Sequence, residues 1–496
     1  MPQAPTLQSF IAGRWFGQHP AQSLRSAIDG HEVARTHEEA PDFAEALAFG
    51  RHQGGKTLLA LDFQQRAQRL KALALYLSER KEQLYALSHH SGATRADSWI
   101  DIEGGNSTLF SYAGLGAREL PSGNLLHEGP AQSLSKLGSF AGSHILVPRG
   151  GVAVHINAFN FPIWGMLEKF APCFLAGMPC IVKPASATSY LTEAAVRLMH
   201  ESGLLPEGSL QLVIGATGDL LDRLQGQDLV TFTGSASTAG RLRANPNLIR
   251  HSVPFNAEAD SLNCAILAPD VSQDDEEFEL FIKEVAREMT VKAGQKCTAI
   301  RRAIIPAKQL DAVATRLRER LSKVVVGDPA VEGVRMGALA SHEQQRDVAE
   351  RLQSLLHSSD LLFGARDGFE PRGTNVSQGA FFAPTLLLAR DPMAEGGAHD
   401  IEAFGPVSTL MAYDDLDQAL ELASRGKGSL VASLVTKSPA IAAQVIPRAA
   451  AWHGRLLVLD RHCAGESTGH GSPLPQLKHG GPVSYTHLTL PTILLV

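Results

Sequence analysis

The sequence predicts an α/β fold with two doubly wound domains, each a mostly parallel sheet covered by helices on both faces. From Gly151 onward, short apolar runs alternate with helix-like stretches, and a second alternating series begins after about Phe255. Such β-α-β-α alternation is typical of parallel sheets between two layers of helices. At 496 residues and 44% hydrophobic content, the chain is too long for one small core. We therefore expect two globular α/β units.

The first alternating series begins with a predicted buried strand over Gly151–Ile156. Pro162 suits the first turn of the next helix, and Gly177 suits its end. The series continues with a strand at 180–183, a helix at about 189–200 and strands at 210–214 and 229–232. Such sheets bind ligands outside the carboxyl ends of their strands, so we expect site residues there.

The second series opens with a predicted strand at 262–267 and a helix with periodic apolar residues from Phe278 to Met289. The acidic run 274–277 favours the positive end of that helix dipole. The helix should end near Gly294, which leaves Cys297 on a loop before a strand at 302–305. Further strands are predicted at 324–326, 429–435 and 455–459, whereas the first 130 residues are mostly helical in pattern.

Composition excludes several classes of protein. With 45 Lys and Arg against 51 Asp and Glu, the net charge of −6 argues against nucleic-acid binding. No apolar run approaches the roughly 18 residues of a membrane helix, and the start of the chain lacks a secretion signal. The histidines lack ligand spacing, so no metal is expected. Five cysteines without a C-x-x-C pair argue against a disulfide framework and for a reducing, cytoplasmic location: Cys173, Cys180, Cys264, Cys297 and Cys463.

The C-terminus departs from this pattern. Residues 483–492 read Val-Ser-Tyr-Thr-His-Leu-Thr-Leu-Pro-Thr, which resembles a sequencing adapter translated in frame. We expect residues 483–496 to be an artefact of sequence assembly and the natural protein to continue differently after Pro482. Such segments are kept out of fold reasoning.

Three segments carry residues suited to one chemistry: Asn160 in Phe159–Pro162, Glu258 in 256–263, and Cys297 in 294–299. With the segments 93–99, 154–161 and 467–472, they resemble the aldehyde dehydrogenase superfamily across nearly the whole chain. The resemblance is strongest to a branch that oxidises CoA-linked semialdehydes, in phenylacetate degradation or in the benzoyl-CoA pathway.

The resemblance implies a domain organisation. It predicts a nicotinamide-binding domain at 1–255, a catalytic thiol domain at 256–460, and the start of a C-terminal bridging segment at 461–482. A small β hairpin at about 130–150 is expected to join subunits into a homodimer or a higher oligomer.

The predicted chemistry centres on Cys297. A thiolate that adds to an aldehyde makes a tetrahedral hemithioacetal, which can expel hydride to a nicotinamide. The Asn160 amide and the Cys297 N–H would stabilise its negative oxygen, although Asn160 also suits a helix N-cap. Glu258 matches the family base that activates water against the resulting thioester, and its presence favours hydrolysis to an acid. Asp260 is a weaker candidate for this base.

Lys169 matches a family lysine in a proton relay behind the base. Its usual glutamate partner would lie in a segment expected after Pro482. The family also shows Leu-Gly-Gly after the base, whereas this chain has Ala259-Asp260-Ser261. This difference from the family pattern lies where contacts with the cofactor are expected.

Cofactor binding lacks the G-x-G-x-x-G fingerprint. The resemblance assigns binding instead to seven residues: Lys183, Ser186, Gly218, Gly234, Ser235, Glu402 and Phe404. Gly234 and Ser235 open a helix whose N–H groups suit a phosphate. Relatives that prefer NAD carry a glutamate where this chain has Ser186, and a carboxylate there would repel a 2′-phosphate. We therefore expect NADP as cofactor.

The sequence as a whole predicts an NADP-dependent dehydrogenase that oxidises a CoA-linked semialdehyde of aromatic-acid catabolism to the carboxylic acid. The small-molecule partner is an acyl-CoA semialdehyde, and no nucleic acid or membrane partner is expected. The benzoyl-CoA pathway semialdehyde is an alternative substrate. A non-catalytic binding protein that kept the fold is an alternative of another class.

Overall fold

The structure is a computed structural model that describes residues 4–364, 369–477 and 480. The predicted artefact at 483–496 lies outside the described residues, and the predicted bridging segment at 461–482 lies partly outside them.

Thirteen strands lie in the first half of the described chain, and seven of them form one sheet. The strands are β1 (Ser9–Ile11), β2 (Arg14–Phe16), β3 (Pro20–Arg25), β4 (Glu32–His37), β5 (Leu126–His127), β6 (Gln132–Ser133), β7 (Ala141–Gly142), β8 (Ile145–Leu146), β9 (Ala153–Ile156), β10 (Cys180–Lys183), β11 (Leu210–Leu212), β12 (Leu229–Thr233) and β13 (Phe255–Glu258). The sheet order is β13-β12-β9-β10-β11-β1-β2, with β1 and β2 antiparallel at one edge. The chain runs outward from β9 to β11 and then crosses to β12. The direction of winding therefore reverses between β9 and β12, and such a switch point is where α/β sheets bind ligands.

Helices cover both faces of this sheet. They are α1 (Phe43–Phe49), α2 (Gly55–Leu59), α3 (Phe63–Ser88), α4 (Arg95–Glu119), α5 (Trp164–Ala176), α6 (Ser189–Glu201), α7 (Ala236–Arg243) and α8 (Pro246–Arg250). Both long helices, α3 and α4, begin with a capping box, and α5 ends at Gly177 in the left-handed conformation. No helix in the described part of the chain is long and apolar enough to cross a membrane.

The second half of the described chain forms another seven-stranded sheet. Its strands are β14 (Cys264–Leu267), β15 (Arg302–Pro306), β16 (Ser359–Phe363), β17 (Thr385–Ala389), β18 (Val407–Tyr413), β19 (Ser429–Val435) and β20 (His453–Leu459). The helices are α9 (Glu276–Thr290), α10 (Leu310–Leu321), α11 (His342–Leu356), α12 (Leu416–Ser424) and α13 (Pro439–Ala449). The order is β16-β17-β18-β15-β14-β19-β20, and all neighbours except β16 and β17 are parallel. Apolar clusters lie on both faces of this sheet. The predicted pair of doubly wound α/β units is confirmed.

Three details differ from the sequence prediction. Most of the first 130 residues are helical, as predicted, but four strands that the sequence pattern did not indicate lie within residues 9–37. β1 and β2 have three residues each, too few to show a period of two, and β1 pairs with the distant β11. Residues 324–326 form no strand; Val326 makes only an isolated bridge to Met336. The predicted domain boundary after residue 255 falls inside β13, which belongs to the first sheet through Glu258.

The segment predicted as an oligomerisation hairpin projects from the first half. β5 pairs with β8, and β6 pairs with β7 in a second short antiparallel ribbon. Its tip exposes large apolar side chains: Leu137 is 93% exposed and Phe140 is 64% exposed. Exposed apolar side chains on a monomer surface are common at sites of protein–protein contact.

A buried arginine ties three helices of the first half together. Arg66 on α3 is fully buried, and it donates to the carbonyl oxygens of Leu175 at 2.8 Å, Leu58 at 3.0 Å and Leu61 at 2.6 Å. Burial lowers the pKa of its guanidinium to about 10, so it stays charged at neutral pH.

We predict that Arg66→Met lowers the free energy of unfolding by about 3 kcal/mol, because three buried carbonyl groups lose their donor. Chemical denaturation would measure the loss. Arg316→Met is the control, since Arg316 is half-exposed and its ion pairs with Glu279 and Glu319 contribute about 0.5 kcal/mol or less. Equal losses in the two variants would refute the role given to Arg66.

Candidate active site

A cleft of about 730 Å³ opens at the switch point of the first sheet and faces the second half of the chain. Segments that follow β9, β12 and β13 form one wall, and the loop before β15 and the segment before β18 contribute the other. The residues that line it are Ala158, Phe159, Asn160, Thr233, Gly234, Ser235, Glu258, Ala259, Asp260, Cys297, Gln344, Asp347, Arg351, Glu402 and Phe404. The structure thus brings Asn160, Glu258 and Cys297 to one place.

The loop that carries Cys297 has an unusual backbone. After α9, three consecutive residues adopt positive φ: Lys292 at 55°, Ala293 at 51° and Gly294 at 69°. Only glycine fits the third position, because a Cβ on Gly294 would lie 2.2 Å from the carbonyl oxygen of Gly405. Two non-glycine residues in this region cost about 1–3 kcal/mol each, so the surrounding contacts must hold the loop in place.

Polar contacts from distant elements hold this loop. The Asp97 carboxylate on α4 accepts from the Lys292 N–H at 2.7 Å. The Asn263 amide donates to the Cys297 carbonyl oxygen at 2.8 Å. The neighbouring Lys296 ammonium is paired with both carboxylate oxygens of Glu288 at 2.7 Å. The position of the thiol is therefore set from both sides of Cys297.

The Cys297 thiol and the buried carboxylate of Glu258 line the same part of the cleft. Burial raises the pKa of the thiol well above its usual value, and the Glu258 carboxylate raises it further. Glu168 and Glu402 add smaller effects in the same direction. The thiol is therefore neutral at neutral pH, and Glu258 is a carboxylate of the same cleft that can accept its proton.

The Asn160 side chain is buried in the cleft wall and donates to the carbonyl oxygen of Gln295 at 3.0 Å. This contact holds the Asn160 amide against Gln295, which lies two residues before Cys297. The predicted alternative role of Asn160 as N-cap of the next helix is wrong. That helix begins at Trp164, and its first N–H groups bond to the carboxylate of Asp101 on α4 instead.

The Cys297 N–H is available as a second donor. No described residue accepts a backbone hydrogen bond from it. Together with the remaining N–H of the Asn160 amide, it suits an oxygen that gains negative charge beside the sulfur.

Lys169 lies behind this wall on α5 and is almost fully buried. Its ammonium donates to the Gly165 carbonyl oxygen at 3.0 Å and pairs with Glu168 at 3.0 Å. The glutamate expected as its partner would lie beyond Pro482, outside the described residues. In the described part of the chain the partner is Glu168, whose charge also acts on Cys297.

Glu402 and Phe404 line the opposite side of the cleft. Glu402 is buried, accepts from the Ser261 N–H at 3.0 Å and pairs with Arg301 at 3.1 Å. Burial raises the pKa of Glu402 to about 7, although the Arg301 charge pulls it down. The Phe404 ring meets the Phe159 ring edge-on, with centroids 5.9 Å apart.

Gly234 and Ser235 precede α7 as predicted, and Ser235 is its N-cap. The Asp260 carboxylate accepts from the Ala236 N–H at 2.8 Å. An N–H group at the start of α7, where a phosphate was predicted to bind, therefore already donates to a carboxylate of this chain. Asp260 therefore faces α7, which makes Glu258 the better placed base beside Cys297.

The other predicted cofactor residues lie outside the cleft lining. Lys183 ends β10, and Ser186 opens the short helical turn that follows. Burial lowers the pKa of the Lys183 ammonium, and no described residue bonds to it. Gly218 lies on an exposed loop before the turn Leu220–Arg223.

These residues fit a nicotinamide cofactor. Lys183 offers a cation without an anionic partner in the described structure, at the carboxyl end of a strand next to the switch point. Glu402 offers a carboxylate for hydroxyl groups, and Phe159 and Phe404 offer apolar ring faces within the same cleft.

A cluster that linear spacing did not reveal lies in the core of the first half. His155, Cys173 and Cys180 are buried, and their ligand atoms lie within 4.8 Å of one another. The Cys173 sulfur lies 3.4 Å from His155 Nε2. The cluster is separate from the cleft, and the expectation that the protein needs no metal stays a prediction.

Sequence analysis missed three residues of the site: Arg301, Glu168 and Gln344. Arg301 and Glu168 lie next to residues or motifs that were singled out, yet their partners come from distant segments. Gln344 lies on α11, far in sequence from every motif, and its amide donates to the Phe404 carbonyl oxygen at 2.8 Å. Arg301 is a charged residue within five positions of Cys297, and this closeness in sequence could have identified it.

Comparison with known proteins gives consistent results. A model of the aldehyde dehydrogenase family matches residues 18–453. The 3,4-dehydroadipyl-CoA semialdehyde dehydrogenase of Aromatoleum evansii is 42% identical over 478 residues, which cover 96% of this chain and 93% of that protein. Protein MaoC of Klebsiella aerogenes is 47% identical over 148 residues, 30% of this chain and 42% of that protein.

Solved structures show the same fold. A point mutant of betaine aldehyde dehydrogenase from Staphylococcus aureus, in complex with NAD+, superposes with a TM-score of 0.84 at 21% identity, covering 99% of this chain and 94% of that one. An aldehyde dehydrogenase C mutant from Pseudomonas syringae, in complex with NAD+ and octanal, gives 0.83 at 21% identity, covering 99% and 95%. The family match and the relative at 42% identity over nearly the whole length show that this chain belongs to the aldehyde dehydrogenase family.

Proposed function

We propose that this enzyme oxidises the terminal aldehyde of an acyl-CoA semialdehyde to the carboxylic acid, with NADP as electron acceptor. The observation that carries the chemistry is that the Cys297 thiol, the Glu258 carboxylate and the Asn160 amide line one cleft, where Glu258 acts on the pKa of the thiol. The substrate class is supported by the relative from Aromatoleum evansii, which is named for a CoA-linked semialdehyde.

The first step joins Cys297 to the aldehyde. The thiol passes its proton to Glu258, and the thiolate adds to the carbonyl carbon. The former carbonyl oxygen becomes negative as the carbon becomes tetrahedral. The Asn160 amide and the Cys297 N–H stabilise that oxygen, and one such donor contributes about 10²–10³ in rate.

In this chain Glu402 would hold the ribose of a bound nicotinamide cofactor, Lys183 and Ser186 its adenosine side, and the start of α7 its phosphates; the cofactor would supply the acceptor for the hydride that leaves the carbon on Cys297. A thioester then remains on Cys297. Glu258 first releases the thiol proton to solvent. It then takes a proton from water as the water oxygen attacks the thioester, and it returns that proton to the sulfur as the carboxylic acid leaves. The overall balance is aldehyde, water and oxidised cofactor to acid, reduced cofactor and one proton.

NADP preference rests on the adenosine side of the site. Ser186 offers a hydroxyl where a carboxylate would repel a 2′-phosphate, and the Lys183 cation, to which no residue of the described chain bonds, lies three residues before it. The solved neighbours in complex with NAD+ are only about 21% identical to this chain, so they bear on the fold and not on this choice.

Two acyl-CoA semialdehydes are candidate substrates. The relative at 42% identity favours the 3,4-dehydroadipyl-CoA semialdehyde. The motifs of the sequence favour the semialdehyde of phenylacetate degradation. Both carry a terminal aldehyde on an acyl-CoA, so the chemistry at Cys297 is the same for both.

We predict that Cys297→Ala abolishes reduction of nicotinamide with either semialdehyde, because no thiolate remains to form the hemithioacetal. Glu258→Gln should lower kcat by at least about 10² because the base is lost. Since Glu258 raises the pKa of the thiol, the same variant should also bring the onset of Cys297 alkylation by iodoacetamide to lower pH.

Cys463→Ala is the control for both measurements, because that cysteine is only partly buried and lies outside the cleft. A wild-type enzyme that binds nicotinamide yet oxidises neither semialdehyde, nor a simple aldehyde, would support the non-catalytic alternative.

Cofactor choice gives a second prediction. The wild-type kcat/KM should be higher with NADP than with NAD, and Ser186→Glu should reverse the order by placing a carboxylate against the 2′-phosphate. Ser186→Ala is the matched control, since it removes the hydroxyl without adding charge. A wild-type preference of about tenfold for NAD would overturn the proposal, because it corresponds to 1.4 kcal/mol in the opposite direction.

We also propose that the exposed hairpin joins subunits into a homodimer or a higher oligomer. Replacement of Leu137 and Phe140 by Ser should lower the molecular mass in solution, because the apolar tip no longer drives association. Light scattering after size exclusion would measure it. Ile249→Ser is the control, since Ile249 is exposed on α8 away from the hairpin. An unchanged mass in the double variant would exclude the hairpin as the interface.

A further inference from the structure

Arg301 lies directly before β15, and its guanidinium is buried between two parts of the active site. Its Nε donates to Glu402 at 3.1 Å, and its Nη1 donates to the Gly405 carbonyl oxygen at 2.8 Å. Its Nη2 donates to the carbonyl oxygens of Gly294 at 3.0 Å and Lys296 at 3.2 Å. One planar group therefore bonds to both sides of the cleft.

The first set of contacts orients the carboxylate that faces the cleft. Arg301 holds one oxygen of Glu402, and the Ser261 N–H holds the other at 3.0 Å. Ser261 follows Glu258 by three residues, so Glu402 is also linked to the segment of the proposed base. The guanidinium carbon lies 5.4 Å from the centroid of the Phe404 ring, which further fixes this wall.

The second set of contacts holds the strained loop. Gly294 and Lys296 precede Cys297, and Gly294 is the third of the left-handed residues. The bonds from Arg301 to these two carbonyl groups hold the loop immediately before Cys297. A guanidinium can bridge these acceptors because its five donors lie in one rigid plane.

We propose that Arg301 is a positioning residue that couples the nicotinamide-ribose carboxylate, Glu402, to the loop that presents Cys297. The proposal rests on the proposed function, since it takes Glu402 as the ribose contact. Arg301 bonds to Glu402 and to the Cys297 loop at the same time, so a change at Arg301 reaches both sides of the cleft. Cofactor affinity and thiol reactivity should therefore change together when Arg301 is altered.

The charges around Glu402 decide the pH dependence of this coupling. Arg301 favours the ionised form of Glu402, whereas Asp260 and burial disfavour it. The Cys297 thiol and the carboxylates of Glu258 and Asp347 also line the cleft. An ionised Glu402 accepts hydrogen bonds from ribose hydroxyls through both oxygens, so cofactor affinity should fall as pH falls through its pKa of about 7. Loss of the Arg301 charge raises that pKa and moves the fall to higher pH.

The test uses the full-length enzyme and three variants with two readouts that need no turnover. The readouts are the NADP dissociation constant, from calorimetry across neutral pH, and the alkylation rate of Cys297 by iodoacetamide, from mass spectrometry. Arg301→Lys keeps the charge but loses the planar fork. It should change the alkylation rate severalfold and leave the pH midpoint of binding in place. Arg301→Gln should change both quantities, with the midpoint at higher pH.

Glu402→Gln distinguishes the effect on cofactor binding from the effect on the loop of Cys297. It should weaken NADP binding by about tenfold and remove the pH midpoint, because a charged acceptor is lost. The alkylation rate should change less than in Arg301→Gln, since the bonds from Arg301 to the loop remain and only the smaller effect of the Glu402 charge on the thiol is lost.

Arg302→Lys is the matched control for simple loss of stability. Arg302 is the next residue, is fully buried and bonds to carbonyl groups of Leu262, Leu422 and Ala423, but it does not contact the cleft residues. It should lower the melting temperature without moving the pH midpoint of NADP binding.

The proposal is overturned if Arg301→Lys and Arg301→Gln change only the melting temperature and leave both readouts as in the wild type. It is also overturned if the wild type binds no nicotinamide. If the wild type binds NADP but oxidises no aldehyde, the proposed function fails while the binding and alkylation data still report on Arg301.

Discussion

The active site depends on a strained loop held against the segment that follows Glu402. Three residues with positive φ precede Cys297, and the close approach of Gly294 to Gly405 leaves no room for a side chain. Strain of this kind persists only where neighbouring groups over-determine the conformation. Here Asp97, Asn263 and Arg301 bond to the loop from three different elements, and the thiol is placed accordingly.

The electrostatics of the cleft suit a nucleophile that is activated only when needed. Burial and the neighbouring Glu258 carboxylate raise the pKa of the Cys297 thiol, which favours its neutral form. In the proposed mechanism the same carboxylate accepts the thiol proton, releases it, and then accepts a proton of water. Asp260, the other carboxylate of that segment, is bonded to the start of α7 and does not compete for either role.

Much of the fold follows from periodicity, whereas its edges do not. The strands β9, β10, β12 and β19 were predicted within two residues of their bounds, because each is a short apolar run between turn signals. β1 and β2 were missed because three-residue strands show no period, and β1 pairs with the distant strand β11. The candidate nucleophile, base and amide came from motifs and a family resemblance, and their positions in one cleft follow from the switch point between β9 and β12.

The sequence by itself determined the fold class, the family and the residue types of the chemistry, because local patterns and motifs encode them. Only the tertiary structure decided which charges meet: Glu168 pairs with Lys169, Asp260 caps α7, and Arg301 bonds to Glu402 and to the loop of Cys297. The physical reason is that an ion pair or a cap depends on distance in space. For Asp260 and Arg301 that distance is set by the packing of segments that are 24 and 101 residues apart in the chain.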